Sequence, residues 1–86
     1  MHKATIRFWS LFNRLPENLR KKAKRNFDLL KKDPLHPSLH FKKVGNFWSV
    51  RVGINHRALA IKDGQDFIWV WIGSYTKYEQ MIREMD

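Results

Sequence analysis

The chain has 86 residues and no cysteine, which predicts one small domain spanning residues 1–86 with neither a disulfide framework nor thiolate chemistry. Seventeen Lys and Arg against eight Asp and Glu give a net charge of +9, a balance that suits a polyanionic or acidic partner. No apolar run approaches the ~18 residues that span a bilayer, and the opening MHKATIRFWSLFN is too short and too polar for a secretory signal. The expectation is a reducing, cytoplasmic home with no membrane contact.

In chain order, Lys3 to Ile6 reads as a short strand. Phe8, Leu11, Phe12 and Leu15 then recur at the spacing of one helix face. Pro16 suits the first turn of a second helix, where a missing N–H costs nothing. Leu19, Ala23, Phe27 and Leu30 form its apolar stripe, and Glu17/Lys21 and Asp28/Lys32 are favourable i, i+4 pairs. Pro34 restricts Asp33 and ends that helix near Lys32. Two helices packed as a hairpin follow from this reading.

The stretch from Asp33 to Ser38 separates the helical half from a strand half. Phe41 to Val44, Phe47 to Val52, His56 to Lys62 and Phe67 to Ile72 are rich in Val, Ile, Phe and Trp, as strands are. Gly45-Asn46, Gly53-Ile54-Asn55 and Asp63 to Asp66 are turn signals, and such short loops join antiparallel neighbours. Phe67 to Ile72 is apolar at every position, which predicts a strand covered on both faces. Tyr78, Met81, Ile82 and Met85 mark a final helix from Tyr75 to Met85. The result is an α+β domain: a helical hairpin on a four-stranded antiparallel sheet, with room for a short extra N-terminal strand, and a C-terminal helix.

Register decides whether Arg51 and Arg57, which flank the Gly53–Asn55 turn, share a face. Matching apolar with apolar places Val50 opposite Leu59 and Trp48 opposite Ile61. Arg51 then lies opposite Ala58, and the two arginines occupy opposite faces. The other register pairs Arg51 with Arg57, and the two repel unless an anion sits between them. The first register is the expected one. Lys42 and Lys43 alternate, so at most one of them enters any given cleft, and edge-strand lysines also serve simply to block unwanted pairing. The aromatics of the strands read as core, and Arg20 to Arg25 as a solvated helix face. His36 and His40 are four apart, but Pro37 between them argues against a helical metal site. His40 and His56 are candidate substrate contacts, His56 packing in the sheet. No cofactor is expected.

The ordered stretches Leu15-Pro16, Asp33 to Leu39, Trp48 to Gly53, His56 to Leu59, and Trp71 to Gly73 with Tyr75 and Tyr78 resemble the RelE/ParE superfamily of bacterial type II toxin–antitoxin systems across nearly the whole chain. The resemblance implies a compact toxin neutralised by a cognate antitoxin protein. RelE-like members cleave mRNA on the ribosome without a metal, whereas ParE-like members act against DNA gyrase. The RelE-like alternative is the leading expectation; a non-toxic basic nucleic-acid-binding module is a third.

Cleavage through the 2′-hydroxyl needs a proton acceptor, a cation on the crowded phosphate and a proton for the leaving oxygen. Arginine suits the phosphate because its planar fork donates two parallel hydrogen bonds. By resemblance, Arg51 holds the scissile phosphate, Lys42 or Lys43 supplies base or field, and Arg57 and Tyr78 position RNA or aid proton transfer. A strand-end salt bridge to the C-terminal helix is the structural alternative for Arg57, and a packing stripe with Met81, Ile82 and Met85 the alternative for Tyr78. Tyr75 stands where many relatives carry His or Arg.

Overall fold

The computed structural model describes residues 1–84. Its elements are β1 (His2–Ala4), α1 (Ile6–Asn13), α2 (Glu17–Lys32), a 3₁₀ turn (Pro37–Leu39), β2 (Lys42–Val44), β3 (Phe47–Val52), β4 (His56–Asp63), β5 (Asp66–Ser74) and α3 (Tyr75–Glu84). The expected last residue of the final helix, Met85, lies outside the described residues. Among the described residues no helix is long and apolar enough to cross a membrane.

Thr5 starts α1: its hydroxyl accepts the Phe8 N–H at 3.1 Å, satisfying one of the donors a helix start leaves unpaired. Phe8 and Phe12 turn inward and are buried, while Leu15 falls in the turn beyond the helix. Pro16 stands one position before the first turn of α2. Of the expected α2 pairs, Lys21–Glu17 forms at 3.4 Å. Asp28 is approached instead by Lys31, one residue nearer, at 4.0 Å. Both helices cover the same face of the sheet, α1 over β5 and α2 over β3.

The sheet has five strands in the order β1-β5-β4-β3-β2. The short N-terminal strand joins it at the edge and runs parallel to β5, with Lys3 opposite Ile68. The other neighbours are antiparallel. A register shift opposite Leu59/Ala60 makes Val70 an extra residue in β5. Such a bulge resets alternation. Trp69 and Ile72 therefore both join the core under α1 and α2, while Trp71 packs with Leu59 and Tyr78 under α3. This is how one continuous apolar run fills both faces.

The β3–β4 register corrects the expected one. Arg51 pairs with Arg57, Val50 with Ala58, Trp48 with Ala60 and Val52 with His56. Pairing by size favours Leu59 opposite Val50, but the face under α1 and α2 takes the alanines: Ala58 and Ala60 are buried there beside Trp69 and Ile72. Small side chains in the middle strand leave room for Trp69 and the helix aromatics, and packing density decides over pairwise size. Leu59 then serves the opposite face.

A candidate anion-binding cleft beneath the last helix

The face that carries Ser49, Leu59 and Trp71 is the one α3 covers, and α3 covers it only in part. Its start is fixed to the β3–β4 turn, since Tyr75 N–H donates to the Asn55 carbonyl at 2.7 Å. Ser74 caps it by accepting the Lys77 N–H at 3.2 Å. Between α3, β2 and the 3₁₀ turn lies an open cleft of about 360 Å³, with Lys42, Ser49, Arg57 and Tyr78 among its lining residues. His40, Val44, Tyr75, Glu79, Ile82 and Arg83 complete its lining. Basic and imidazole groups thus dominate its polar walls, against the one carboxylate of Glu79.

Each polar group arrives by strand geometry. Lys42 pairs with Ser49 and so points to the α3 face; Lys43 pairs with Trp48 and points to the other, and it does not line the cleft. Arg57 sits opposite Gly73, which presents no side chain on β5. A Cβ at Gly73 would stand 2.5 Å from Trp71 Cζ2, so the glycine lets the indole fold over the strand next to Arg57. The Arg57 guanidinium lies 4.6 Å from the Tyr75 ring centre, a cation–π contact. Its Nη1 also donates to the His56 carbonyl at 2.8 Å and the Ile54 carbonyl at 3.3 Å. The alternative of a salt bridge to the C-terminal helix is not what forms. Glu79, the nearest acid on α3, accepts instead from Tyr75 OH at 2.8 Å and from Arg83 at 3.5 Å. The bond to Glu79 raises the Tyr75 phenol above its ordinary value. Tyr75 is thus a fixed support for Arg57, an aromatic ring at the position where the resemblance leads one to look for His or Arg.

Tyr78 is 7% exposed and packs with Leu59 and Trp71. It belongs to the packing stripe and to the cleft floor at once. Ser49 is 2% exposed at the base of the cleft. His56 is half-buried in the sheet, and burial lowers its pKa.

Arg51 shares the face of Arg57 by register, yet the two side chains part. Arg51 Nε donates to the Gly53 carbonyl at 3.1 Å, and its Nη1 meets His40 Nε2 at 3.3 Å. It lines a neighbouring hollow beside α2, not the cleft. The boundary between the two is the Arg51–His40 contact. His40 holds the left-handed backbone conformation, with φ 45°, costly for a residue with a Cβ and characteristic of functional positions. The sequence points to His40 but not to Ser49, Glu79 or Arg83. A lone Ser within the apolar β3 strand was the one available signal; the other two lie on an exposed helix and become visible only when α3 is docked.

No family model and no curated protein sequence matches the chain. Solved structures do. A chain of the RelB–RelE antitoxin–toxin complex from Methanococcus jannaschii superposes with a TM-score of 0.72 at 19% identity, covering 92% of this chain and 96% of that one. YafQ from E. coli gives 0.68 at 12% identity over 91% and 96%. The isolated E. coli RelE toxin gives 0.64 at 9% identity over 100% and 98%. At these identities the likeness concerns backbone architecture, and on that ground the chain has the fold of the RelE/ParE-type toxins.

Proposed function

We propose that this protein is the toxin of a type II toxin–antitoxin pair and acts as a metal-independent endoribonuclease on ribosome-bound mRNA in the cytoplasm. The observation that carries this reading is the cleft under α3, where Lys42 and Arg57 face one open space above Ser49 and Tyr78. In this reading Arg57 receives the scissile phosphate. Its guanidinium is held from one side by the Tyr75 ring and from behind by two carbonyls, so its orientation is set before substrate arrives. Lys42 adds a second cation across the cleft. Together they offset the charge that builds on the phosphate as the 2′-oxygen attacks and the 5′-oxygen leaves. Tyr78 positions RNA from the floor. Arg51 acts at the cleft boundary through His40. The toxin fold, including a neighbour solved with its antitoxin, supports a protein antitoxin as partner.

The test is controlled induction with mapping of mRNA ends, alongside Arg57→Ala and Arg51→Ala. Arg57→Ala is expected to lower cleavage about 100-fold, the scale of losing one charge-stabilising donor, while its fold and antitoxin binding persist. Arg51→Ala is also expected to lose toxicity with the fold retained. Growth arrest with intact mRNA would remove the nuclease reading.

One observation favours a second reading. Tyr75 is committed to Glu79 and supports Arg57, which leaves the place of a proton-transferring His or Arg filled by a phenol of raised pKa. A non-nuclease toxin directed at DNA gyrase would not need that group. Inhibition of purified gyrase in a supercoiling assay at low toxin excess, with RNA left whole, would select it.

A further inference from the structure

The hollow on the far side of the Arg51–His40 contact has its own chemistry. It holds about 370 Å³ between α2, the 3₁₀ turn and the Gly53–Asn55 turn, and Lys22, Arg25, Asn26, Ser38 and Arg51 line it together with Gly53 and Ile54. No carboxylate does. Lys22 and Arg25 are i, i+3 neighbours on α2, and like charges at that spacing destabilise a helix. The ion pairs that α2 does make, Lys21–Glu17 and Lys31–Asp28, use other residues. Among the described residues Lys22, Arg25 and Arg51 make no ion pair.

Two of the cations, Lys22 and Arg51, are also held at the same turn. A Cβ at Gly53 would lie 3.2 Å from Lys22 Cδ and 3.5 Å from its Nζ, so the lysine lies directly on this turn. Only a residue without a side chain, at φ +66°, accommodates both the turn and the lysine. Arg51 Nε binds the carbonyl of the same glycine, and Asn26 Nδ2 donates to the Arg51 carbonyl at 3.0 Å. Two of the five N–H donors of the Arg51 guanidinium are thus used, and the planar fork retains donors for a phosphate.

We propose that this hollow is a second phosphate-binding subsite, built from Lys22, Arg25 and Arg51, which takes a neighbouring phosphodiester of the same single-stranded RNA whose scissile phosphate lies in the cleft. The inference rests on the nuclease reading for the identity of the polymer. Its own support is the concentration of unpaired cations in a concave site that adjoins the cleft through the Arg51–His40 contact. An extended phosphodiester chain fits two anion sites in series better than an acidic peptide does, because Lys22, Arg25 and Arg51 offer guanidinium forks and an ammonium group here, and Ile54 is the one apolar side chain among the lining residues.

The experiment measures binding of the full chain to a short single-stranded RNA made non-cleavable by 2′-O-methylation, at several salt concentrations. Lys22→Gln/Arg25→Gln is expected to weaken binding about tenfold and to lower the salt slope by about 0.7 for each phosphate that is no longer neutralised. Lys21→Gln/Lys31→Gln removes the same number of cations from the same helix outside the hollow, and is expected to cost less than about threefold. Equal losses from the two double variants, or none from the first, overturn the subsite. Both sets of residues are exposed; should the first double variant fold poorly, Arg25→Gln alone is expected to give about a threefold loss, and no loss overturns the proposal. A parent chain that binds polyglutamate but not this RNA also overturns it. RNA binding with the expected loss in the double variant, but with mRNA left intact in cells, removes the nuclease reading and upholds the subsite.

Discussion

On one face of the sheet, Val50, Val52, Ala58, Ala60, Trp69 and Ile72 lie beneath α1 and α2 and none is more than 5% exposed. On the other, α3 buries Leu59, Trp71 and Tyr78 but leaves Lys42 and Arg57 facing an open cleft. The same strands supply both. Alternation sends successive residues of β3 and β4 to opposite sides, so the closed face gives the domain its stability and frees the open face to carry charge. The comparison teaches that the cleft is a by-product of register: moving β4 by one residue would put Arg57 under the helices and Ala58 in the cleft.

Three measurements break or sharpen that contrast. The largest effect belongs to the closed face. Trp69, 1% exposed at the centre of the core, is expected to cost about 3–5 kcal/mol when replaced by alanine, read by denaturant unfolding. A loss under about 1 kcal/mol would mean the closed face is not what holds the domain. Ala58→Leu comes next. Apolar matching would welcome the larger side chain, but Ala58 is 4% exposed under the helices, so overpacking there is expected to destabilise by about 1–3 kcal/mol. A neutral or stabilising result would favour the size-matched register over the observed one.

The smallest effect is a pH dependence, also on the closed face. His2 Nδ1 accepts the Trp69 indole N–H at 3.0 Å, and its ring lies against Phe67 and Phe27. Burial, reinforced by the N-terminal ammonium and Lys31, lowers its pKa below the ordinary 6.5. The neutral ring is therefore the folded form. Its contribution is complete above pH 6.5 and is lost as pH falls through the lowered value. Protonation removes the acceptor for Trp69, a loss of about 1 kcal/mol. Thermal unfolding between neutral and mildly acid pH checks this, with His2→Gln expected to flatten part of the slope and His56, also lowered by burial, the remainder.

Much of the architecture was legible in the residues themselves. Phe8 and Phe12, and Ala23 with Leu30, lie where their helical spacing puts them, and the apolar run from Phe67 to Ile72 is covered on both faces. Strand periods and turn glycines mark out the meander. Register escaped because Leu59 looks like a better partner for Val50 than Ala58 does. The preference depends on how much space the helices and Trp69 leave above the sheet, a tertiary quantity. The bulge at Val70 was hidden because every residue around it is apolar and alternation has no contrast to shift. Among the site candidates, Lys42, Arg57 and Tyr78 come together, whereas Lys43 faces away. Arg51 goes to the adjoining hollow because His40, turned by its left-handed backbone, and the Gly53 carbonyl both claim its guanidinium. The Gly53 contact is only two residues away, but the His40 contact spans eleven and cannot be read from spacing.

The parallel seat of β1 on β5 bears on when the cleft can form. Residues 2–13 of the chain find their partner in residues 66–74, and the wall that closes the cleft follows directly after. A nascent chain has nowhere to dock residues 2–4 until residues 67–69 have been synthesised. Long-range pairing of this kind delays folding, so a growing chain has no finished cleft until β5 and α3 have both been made, and the activity proposed here waits for them.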